Sequence, residues 1–232
     1  SGNVIRDSSG FGNTGSLISG TTWTTGKYGN ALLFDQGYVS VPDDPSLDLG
    51  QTGTIEAWVR FDRTIFSPGV LYKGNSPFYN YFLGAVDGSD GFKMRCALRN
   101  NGTSNVVKSN AVIPSGSLHH WACTWDGSSL KLYIDGNLDN SASQTITPMA
   151  NSHPLLLGAV ASNAAEPLKG VIDEVRIYNR ALRQAEIQAD MTTPLGNVIL
   201  SNNAQFISQD VPTSMIAGQT YPVRITFKNT GT

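Results

Sequence analysis

The stretch HHWACTWDGSSLKLYIDG, residues 119–136, contains two runs in which apolar and polar residues alternate around a turn signal. Trp121, Cys123 and Trp125 share one phase of the first run. Alternation with a period of two is typical of a β-strand that buries one face. The turn residues DGSS at 126–129 separate the runs. The stretch therefore predicts two strands joined by a turn.

Similar runs occur along most of the chain. ALLFDQGYVSV (31–41) and TIEAWVRF (54–61) alternate in the same way, and turn signals such as DGSDG (87–91) and NNGTSN (100–105) separate further short runs. Many short strands at close spacing predict an all-β protein. We therefore expect a jelly-roll β-sandwich of two antiparallel sheets.

One short helix is predicted near residue 190. ALRQAEIQADM (181–191) places Glu186 three residues after Arg183, which is the spacing of a capping box, although Arg183 replaces the usual Ser or Thr. The sequence TTPLGN that follows has the Pro and Gly of a linker. The predicted organisation is a first domain, a linker, and an incomplete β-module or appendage, at residues 1–191, 192–197 and 198–232.

Composition and charge exclude several classes of function. Of the 232 residues, 40% are hydrophobic and only 15% are charged, a profile typical of extracellular all-β proteins. The net charge of −2 and the absence of a run of Lys and Arg argue against nucleic acid as a partner, and against sulfated glycans as the main ligand. No run reaches the ~18 apolar residues of a membrane span, so membrane insertion is not expected. We interpret the chain as an excised piece of a secreted or cell-surface protein.

The two cysteines, Cys96 and Cys123, lie on the apolar phase of their runs, so they can meet inside one core. Buried free thiols and a disulfide are both compatible with this placement.

A resemblance to a known family rests on several runs in order: DSSGFGNTG (7–15), GKYGNALLFDQGYVSV (26–41), GTIEAWVRF (53–61), HHWACTWDGSSLKLYIDG (119–136) and LKGVIDEVRIYNRAL (168–182) followed by AEI. The chain resembles the bacterial laminin-G-like, concanavalin A-like jelly-roll domains of secreted multi-domain proteins over roughly residues 3–191. The tail from about residue 197 resembles the start of an immunoglobulin-like module.

Two departures from the family pattern stand out. Family members carry one more strand before the DSSG loop, whereas this chain begins at Ser1. A missing strand leaves an open sheet edge, which predicts strand pairing with another chain or segment. Leu118 stands where the family usually has Trp.

The resemblance implies a structural calcium ion shared by the DSSG loop and the IDEV strand. Strict alternation places Asp173 on the apolar phase of its strand, and a carboxylate there is costly unless it is paired or binds a cation. Glycine lets the loop turn carbonyls toward one point, and Ca²⁺ takes six to eight oxygen ligands. The predicted ligands are Asp7, Gly12, Asn13 and Asp173. In the alternative interpretation, Asp7 and Asn13 form Asx-turns and Asp173 accepts backbone N–H groups.

An aromatic segment, KGNSPFYNYFLG (73–84), is the candidate ligand site. Phe78, Tyr79 and Tyr81 crowd a segment that also holds Gly, Asn and Pro. Exposed aromatic clusters mark binding sites, and aromatic rings stack on the apolar faces of sugars. The alternative is that these rings close one end of the sandwich.

The sequence does not predict an enzyme. Glucanases with this fold need two carboxylates on one strand face, and the pattern E-x-D-x-x-E is absent. Asp173 and Glu174 are adjacent, so strict alternation points them to opposite faces, and Glu56 has no carboxylate nearby in the sequence. The leading hypothesis is a non-catalytic, carbohydrate-binding module with a structural calcium. The alternative is a structural or adhesive spacer that binds extracellular protein.

Overall fold

The computed structural model describes residues 2–62, 67–75, 78–160, 167–195, 204–210 and 224–229. The chain divides into two compact units, Ser1–Pro194 and Leu195–Thr232. The first unit is a sandwich of an eight-stranded and a seven-stranded sheet in which all described pairings are antiparallel. The predicted all-β fold class is therefore confirmed.

The strands are numbered in chain order. Those of the eight-stranded sheet are, in spatial order, β1 (Val4–Ile5), β2 (Gly15–Ile18), β5 (Tyr38–Val41), β14 (Leu155–Leu157), β7 (Gly69–Asn75), β8 (Phe78–Val86), β9 (Lys93–Asn100) and β10 (Thr103–Lys108). Those of the seven-stranded sheet are β13 (Asn137–Ser143), β12 (Ser129–Ile134), β11 (Leu118–Trp125), β6 (Gly53–Phe61), β15 (Lys169–Tyr178), β4 (Asn30–Asp35) and β3 (Thr21–Thr25). A 3₁₀ turn spans Pro45–Leu47.

The core lies between the two sheets and follows from the alternation of the strands. Trp121, Cys123 and Trp125 of β11 all face this core, as their shared phase predicts. Cys96 of β9 and Cys123 form a disulfide, which settles the alternative that the sequence left open. The bond joins one sheet to the other, and closing a chain segment of this size stabilises a fold by about 3 kcal/mol.

Helix α1 (Gln184–Thr192) packs on the outer surface of the seven-stranded sheet. Its N-cap is Arg183, whose backbone N–H donates to the Glu186 carboxylate at 2.8 Å, as the capping-box spacing predicts. Leu182 and Ile187 flank this cap and are buried together against the sheet. Among the described residues, no helix combines the length and apolar character that crossing a bilayer requires.

The second unit contains β16 (Ala204–Asp210) and β17 (Arg224–Asn229), which pair antiparallel. The predicted boundaries and the immunoglobulin-like character of this unit stay predictions. In the first unit, the two-residue β1 precedes the Asp7 loop and forms one edge of the eight-stranded sheet. The predicted pairing of an open edge with another chain also stays a prediction.

Candidate functional site

The Asp7 loop is held together by its own backbone. The Asp7 carboxylate accepts the N–H of Ser9 at 2.8 Å, the Ser9 hydroxyl at 2.7 Å and the N–H of Asn13 at 3.0 Å. Partial burial raises the pKa of Asp7, but these hydrogen bonds outweigh burial and leave that pKa below its usual value. The Asn13 amide donates to Ser46 at 2.9 Å, and Gly12 is exposed with φ +82°.

Asp173 lies on the outer surface of the seven-stranded sheet, buried beside a turn. Its carboxylate accepts the N–H of Tyr28 at 3.1 Å and the N–H of Glu174 at 2.9 Å. Burial raises the pKa of Asp173, and these N–H groups oppose that shift. The turn approaches closely because Gly26 lacks a side chain: a Cβ there would lie 2.3 Å from Asp173 Oδ2.

The strict alternation expected around Asp173 is wrong. A β-bulge between Asp173 and Arg176 shifts the register of β15 against β6, and Glu174 adopts a φ of +54° within it. Asp173 therefore pairs with Trp58 and Arg176 with Glu56, so both face outward on the same surface. The Arg176 charge lowers the pKa of Asp173, although burial prevails.

The structure brings Asp7, Gly12 and Asn13 together but gives Asp173 different partners. Asp7 follows a strand of one sheet, whereas Asp173 lies on the other sheet, and no described contact joins them. Within the described ranges, no group of three or more His, Cys, Asp or Glu side chains is placed to hold a metal ion. The contacts that are present match an Asx-turn at Asp7 and a backbone-bonded Asp173. As placed, the four residues do not form one ligand set, and the calcium site stays a prediction.

The three candidate aromatic residues separate in the structure. Phe78, at the tip of the β7–β8 hairpin, is 54% exposed. Tyr79 is partly buried and packs on the outer surface of the eight-stranded sheet. Tyr81 is 0% exposed and lies in the core beside Trp125, in regular alternation with Leu83 of the same strand. A register shift between β7 and β8 turns Tyr79 to the opposite face. A ligand at the surface does not reach Tyr81, so Phe78 and Tyr79 remain the candidate contacts.

Tyr79 belongs to a larger aromatic group, which we call the aromatic face: Tyr72, Tyr79 and Phe82. Their ring centroids are 5.3 Å, 5.9 Å and 6.4 Å apart, and none of these contacts is a parallel stack. Leu156 and Ala97 pack against the same group from neighbouring strands. Tyr72 and Phe82 were not predicted from the sequence. Phe82 faces outward because it lies between the core residues Tyr81 and Leu83. The register shift brings Tyr79 to the same face as Phe82, and no sequence signal marked that shift.

A buried lysine supports the hairpin that carries Phe78 and Tyr79. Lys73 is fully buried, and its ammonium group lies 2.7 Å from Asp43 Oδ1 and 3.1 Å from Asp48 Oδ1. It also donates to the backbone carbonyls of Asn151 at 2.9 Å and His153 at 2.8 Å. This cage of oxygens satisfies a charge that would otherwise be costly to bury.

Asn80 fastens the second strand of the hairpin in the same way. Its side chain accepts the N–H of Leu49 at 3.2 Å and donates to the carbonyls of Leu49 and Met149, both at 3.0 Å. Lys73 and Asn80 thus tie the two strands of the hairpin to the same two loops. These contacts fix the position of the two strands that carry the aromatic face.

The outer surface of the seven-stranded sheet has a different character. Glu56 and His120 are both 0% exposed there, with Glu56 Oε2 3.9 Å from His120 Nε2 and Glu56 Oε1 3.8 Å from Arg176. Arg176 also donates to the carbonyls of Asp190 and Thr193 at the end of α1. We call Glu56, His120, Arg176 and Asp190 the buried polar cluster.

Burial dominates the ionisation of this cluster. Burial and, next, the negative charge of Asp190 raise the pKa of Glu56 to about 8, with Arg176 opposing. Burial and the Arg176 charge lower the pKa of His120 to about 4. His120 has no side-chain hydrogen-bond partner within the part of the chain that the structure describes, and the Glu56 oxygens accept no hydrogen bond there. A hydrogen bond with the Asp190 carboxyl group adds to the rise in the pKa of Glu56. The carboxylate partner that Glu56 lacked in the sequence, Asp190, comes from the helix.

Comparison with protein families identifies the first unit. Residues 34–188 match the Laminin_G_3 family model, described as the concanavalin A-like lectin/glucanases superfamily. No curated protein sequence matches significantly.

Three solved structures illustrate the similarity in fold. Domain 4 of AbnA, an extracellular GH43 arabinanase from Geobacillus stearothermophilus solved with arabinotriose, is 22% identical with a TM-score of 0.67, over 81% of this chain and 93% of that domain. The binding domain of Paraclostridial Mosquitocidal Protein 1 is 17% identical with a TM-score of 0.66, over 81% and 49%. The binding domain of botulinum neurotoxin serotype G is 14% identical with a TM-score of 0.63, over 80% and 47%. The chain thus spans nearly all of the arabinanase domain but about half of each toxin domain.

Proposed function

Because the chain belongs to the concanavalin A-like lectin/glucanase superfamily, we propose that it is a non-catalytic recognition module that binds carbohydrate on the outer surface of the eight-stranded sheet. The observation that carries this proposal is the exposed ring of Phe78, which is next in sequence to Tyr79, the partly exposed member of the aromatic face. Exposed and partly exposed aromatic side chains on one segment offer apolar surface to a sugar ring. The anchors at Lys73 and Asn80 hold this platform in place before a ligand arrives.

The solved relatives support a binding role. The arabinanase domain was solved with a bound oligosaccharide, and the two toxin relatives are themselves binding domains. Because their sequence identity to this chain is low, their structural similarity establishes the fold alone. The proposed sugar-binding role of this surface therefore rests on its own residues.

The placement of the carboxylates supports a non-catalytic role. Glu56 lies near Asp190 of α1, and this helix packs on the outer surface of the seven-stranded sheet. A glycosidase needs both carboxylates beside its substrate. Glu56 has no contact with solvent, so a glycan does not reach this pair.

The proposed setting is the surface or exterior of a cell, as part of a multi-domain protein. The disulfide between Cys96 and Cys123 supports this setting, because disulfides persist in oxidising compartments. Carbohydrate binding as proposed here does not depend on calcium. The calcium prediction has its own test: a bound ion requires that chelation lower the melting temperature, and that Asp7→Asn abolish that response. An unchanged melting temperature in chelator would show that the calcium prediction is wrong.

A glycan array tests the proposal, with the wild-type chain probed in calcium and in chelator. We expect binding to a defined set of glycans. Phe78→Ala and Tyr79→Ala should each weaken that binding about two- to tenfold, the worth of one aromatic contact. The matched control is Phe11→Ala, because Phe11 is 71% exposed but lies in the Asp7 loop. Silence on every glycan would overturn the proposal and favour the alternative of a protein-binding spacer.

A further inference from the structure

Positive charge is concentrated beside the aromatic face. In β9, Met94, Cys96 and Leu98 face the core, so the intervening side chains of Lys93, Arg95 and Arg99 face outward. On β10, Lys108 lies opposite Arg95 on the same surface. Four cationic side chains thus share this part of a protein whose net charge is −2.

The two arginines differ from the lysine beside them in their partners. Lys93 forms an ion pair with Asp90 at 2.6 Å. Neither Arg95 nor Arg99 pairs with a carboxylate among the described residues, and the Nε of each is buried without a hydrogen-bond partner there. The nearest polar contact of Arg99 is a long one, 3.5 Å to the Ser104 hydroxyl. A guanidinium normally finds an acceptor when it is partly buried, so these two groups have unused donors.

Each arginine is held against one ring of the aromatic face. The Arg95 guanidinium lies 4.5 Å from the centroid of Phe82, and that of Arg99 lies 5.7 Å from the centroid of Tyr79. These cation–π contacts hold the guanidinium groups in position. Apart from the long contact of Arg99 with Ser104, their Nη groups have no acceptor among the described residues. The two positions are about 13 Å apart along the strand, from a rise of ~3.3 Å per residue, so one carboxylate meets one arginine at a time.

We propose that the carbohydrate bound here is anionic, and that it carries a carboxylate, as a uronate or a sialate does. This inference rests on the proposed function. Arg99 would bind the sugar carboxylate through two parallel hydrogen bonds, while Tyr79 and Phe78 contact the ring of the same sugar or its neighbour. Arg95 would bind the carboxylate of a second acidic sugar in the same glycan. The overall charge of −2 argues against a dense polyanion, so the geometry points to separate carboxylates rather than to nucleic acid or heavily sulfated glycans.

The test compares acids with their own esters. Uronate- and sialate-containing glycans, among them trigalacturonate and 3′-sialyllactose, are arrayed beside their methyl esters and beside neutral lactose, and the wild-type chain is applied. We expect at least one acid to bind tenfold or more tightly than its ester. Arg99→Gln should remove that preference while retaining the weaker binding to the ester. Arg99→Lys, which keeps the charge but not the planar fork, should restore part of the preference. The control Arg6→Gln, which changes an exposed arginine in the Asp7 loop, should behave as wild type.

Each other result overturns the inference in a distinguishable way. Equal binding of acid and ester, still lost in Tyr79→Ala, would refute the anionic ligand and leave carbohydrate recognition standing. No binding to any glycan would refute both. Equal binding of sulfated glycans, or displacement of the acid by polyglutamate, would show that the arginines attract any anion and would refute a carboxylate sugar as their ligand. The variants are compared only where their melting temperatures lie within a few degrees of wild type, as is expected for partly exposed side chains.

Discussion

The two outer surfaces of the sandwich have opposite characters. On the eight-stranded sheet, Tyr79, Arg95 and Arg99 are partly exposed, and Phe78 projects into solvent. On the seven-stranded sheet, α1 covers the surface, and the ionisable groups Glu56 and His120 beneath it are fully buried. Both surfaces contain polar atoms without a hydrogen-bond partner among the described residues, but only on the first do these atoms belong to partly exposed side chains. The presence of a cover, rather than the residue types alone, distinguishes a candidate binding surface from an internal one.

The largest expected effect comes from removing the support beneath the open surface. Lys73→Met should lower the free energy of unfolding by about 3–5 kcal/mol, because Asp43 and Asp48 would lose the cation between them. Denaturant unfolding measures this change. The control Lys169→Met removes a 53% exposed lysine that pairs with Asp35, and it should change stability by less than about 1 kcal/mol. Similar values for the two variants would mean that the buried cage does not anchor the hairpin.

A matched pair of truncations tests the comparison itself. Ile187→Ala, beneath the helix, should cost about 2–5 kcal/mol of stability because it leaves a cavity in a buried cluster. Phe78→Ala, on the open surface, should cost less than about 0.5 kcal/mol while it weakens glycan binding. A large loss of stability in Phe78→Ala would assign that ring to the fold rather than to a ligand.

The smallest of these effects is a pH dependence that originates in the buried polar cluster. The pKa of Glu56 is about 8 in the folded protein against 4.5 in the unfolded chain, so its stabilising contribution is lost as the pH rises from 4.5 to 8. The pKa of His120 falls from 6.5 to about 4 on folding, so its contribution is lost as the pH falls from 6.5 to 4. The two slopes nearly cancel between pH 4.5 and 6.5, where stability should be flat.

Above pH 6.5 only the Glu56 term remains, so stability should fall by about 2 kcal/mol between pH 6.5 and 8. Urea unfolding at both pH values measures the difference. Arg176 and Asp190 of the cluster, and Tyr178 beside it, also interact with Glu56. The comparison with Glu56→Gln therefore isolates the contribution of Glu56 to the pH dependence. The decline should be absent in that variant, and its persistence there would place the titrating group elsewhere.

The sequence predicted what depends on regular alternation and missed what depends on its interruption. The strands, the two sheets and the inward phase of Cys96 and Cys123 follow from a period of two. The bulge at Glu174 reverses the expected surroundings of Asp173, and the shift opposite β7 separates Tyr79 from Tyr81. A single extra residue in a strand leaves little trace in the sequence, because its cost is compensated by contacts that form only after folding.

Contacts between distant segments could not be predicted from the sequence, for a different reason. Asp190 lies near Glu56 only because α1 folds back onto the sheet, and Lys73 meets Asp43, Asp48 and Asn151 only after three segments converge. The outward phase of Arg95 and Arg99 could have been inferred from the alternation of Met94, Cys96 and Leu98. Their lack of carboxylate partners among the described residues could not, because it depends on which side chains the neighbouring strands bring to that surface.

The disulfide has a mechanical consequence for a module joined to other domains. A force applied to the two ends of the chain cannot extend the segment between Cys96 and Cys123, which are 27 positions apart. The fully extended oxidised chain is therefore about 90 Å shorter than the reduced one, at ~3.4 Å per residue. Arg99 and β10 lie inside this covalently closed segment, and Arg95 adjoins it. Even under tension that pulls other strands from the sandwich, Arg99 stays within one closed loop, whereas Phe78 and Tyr79 lie outside it.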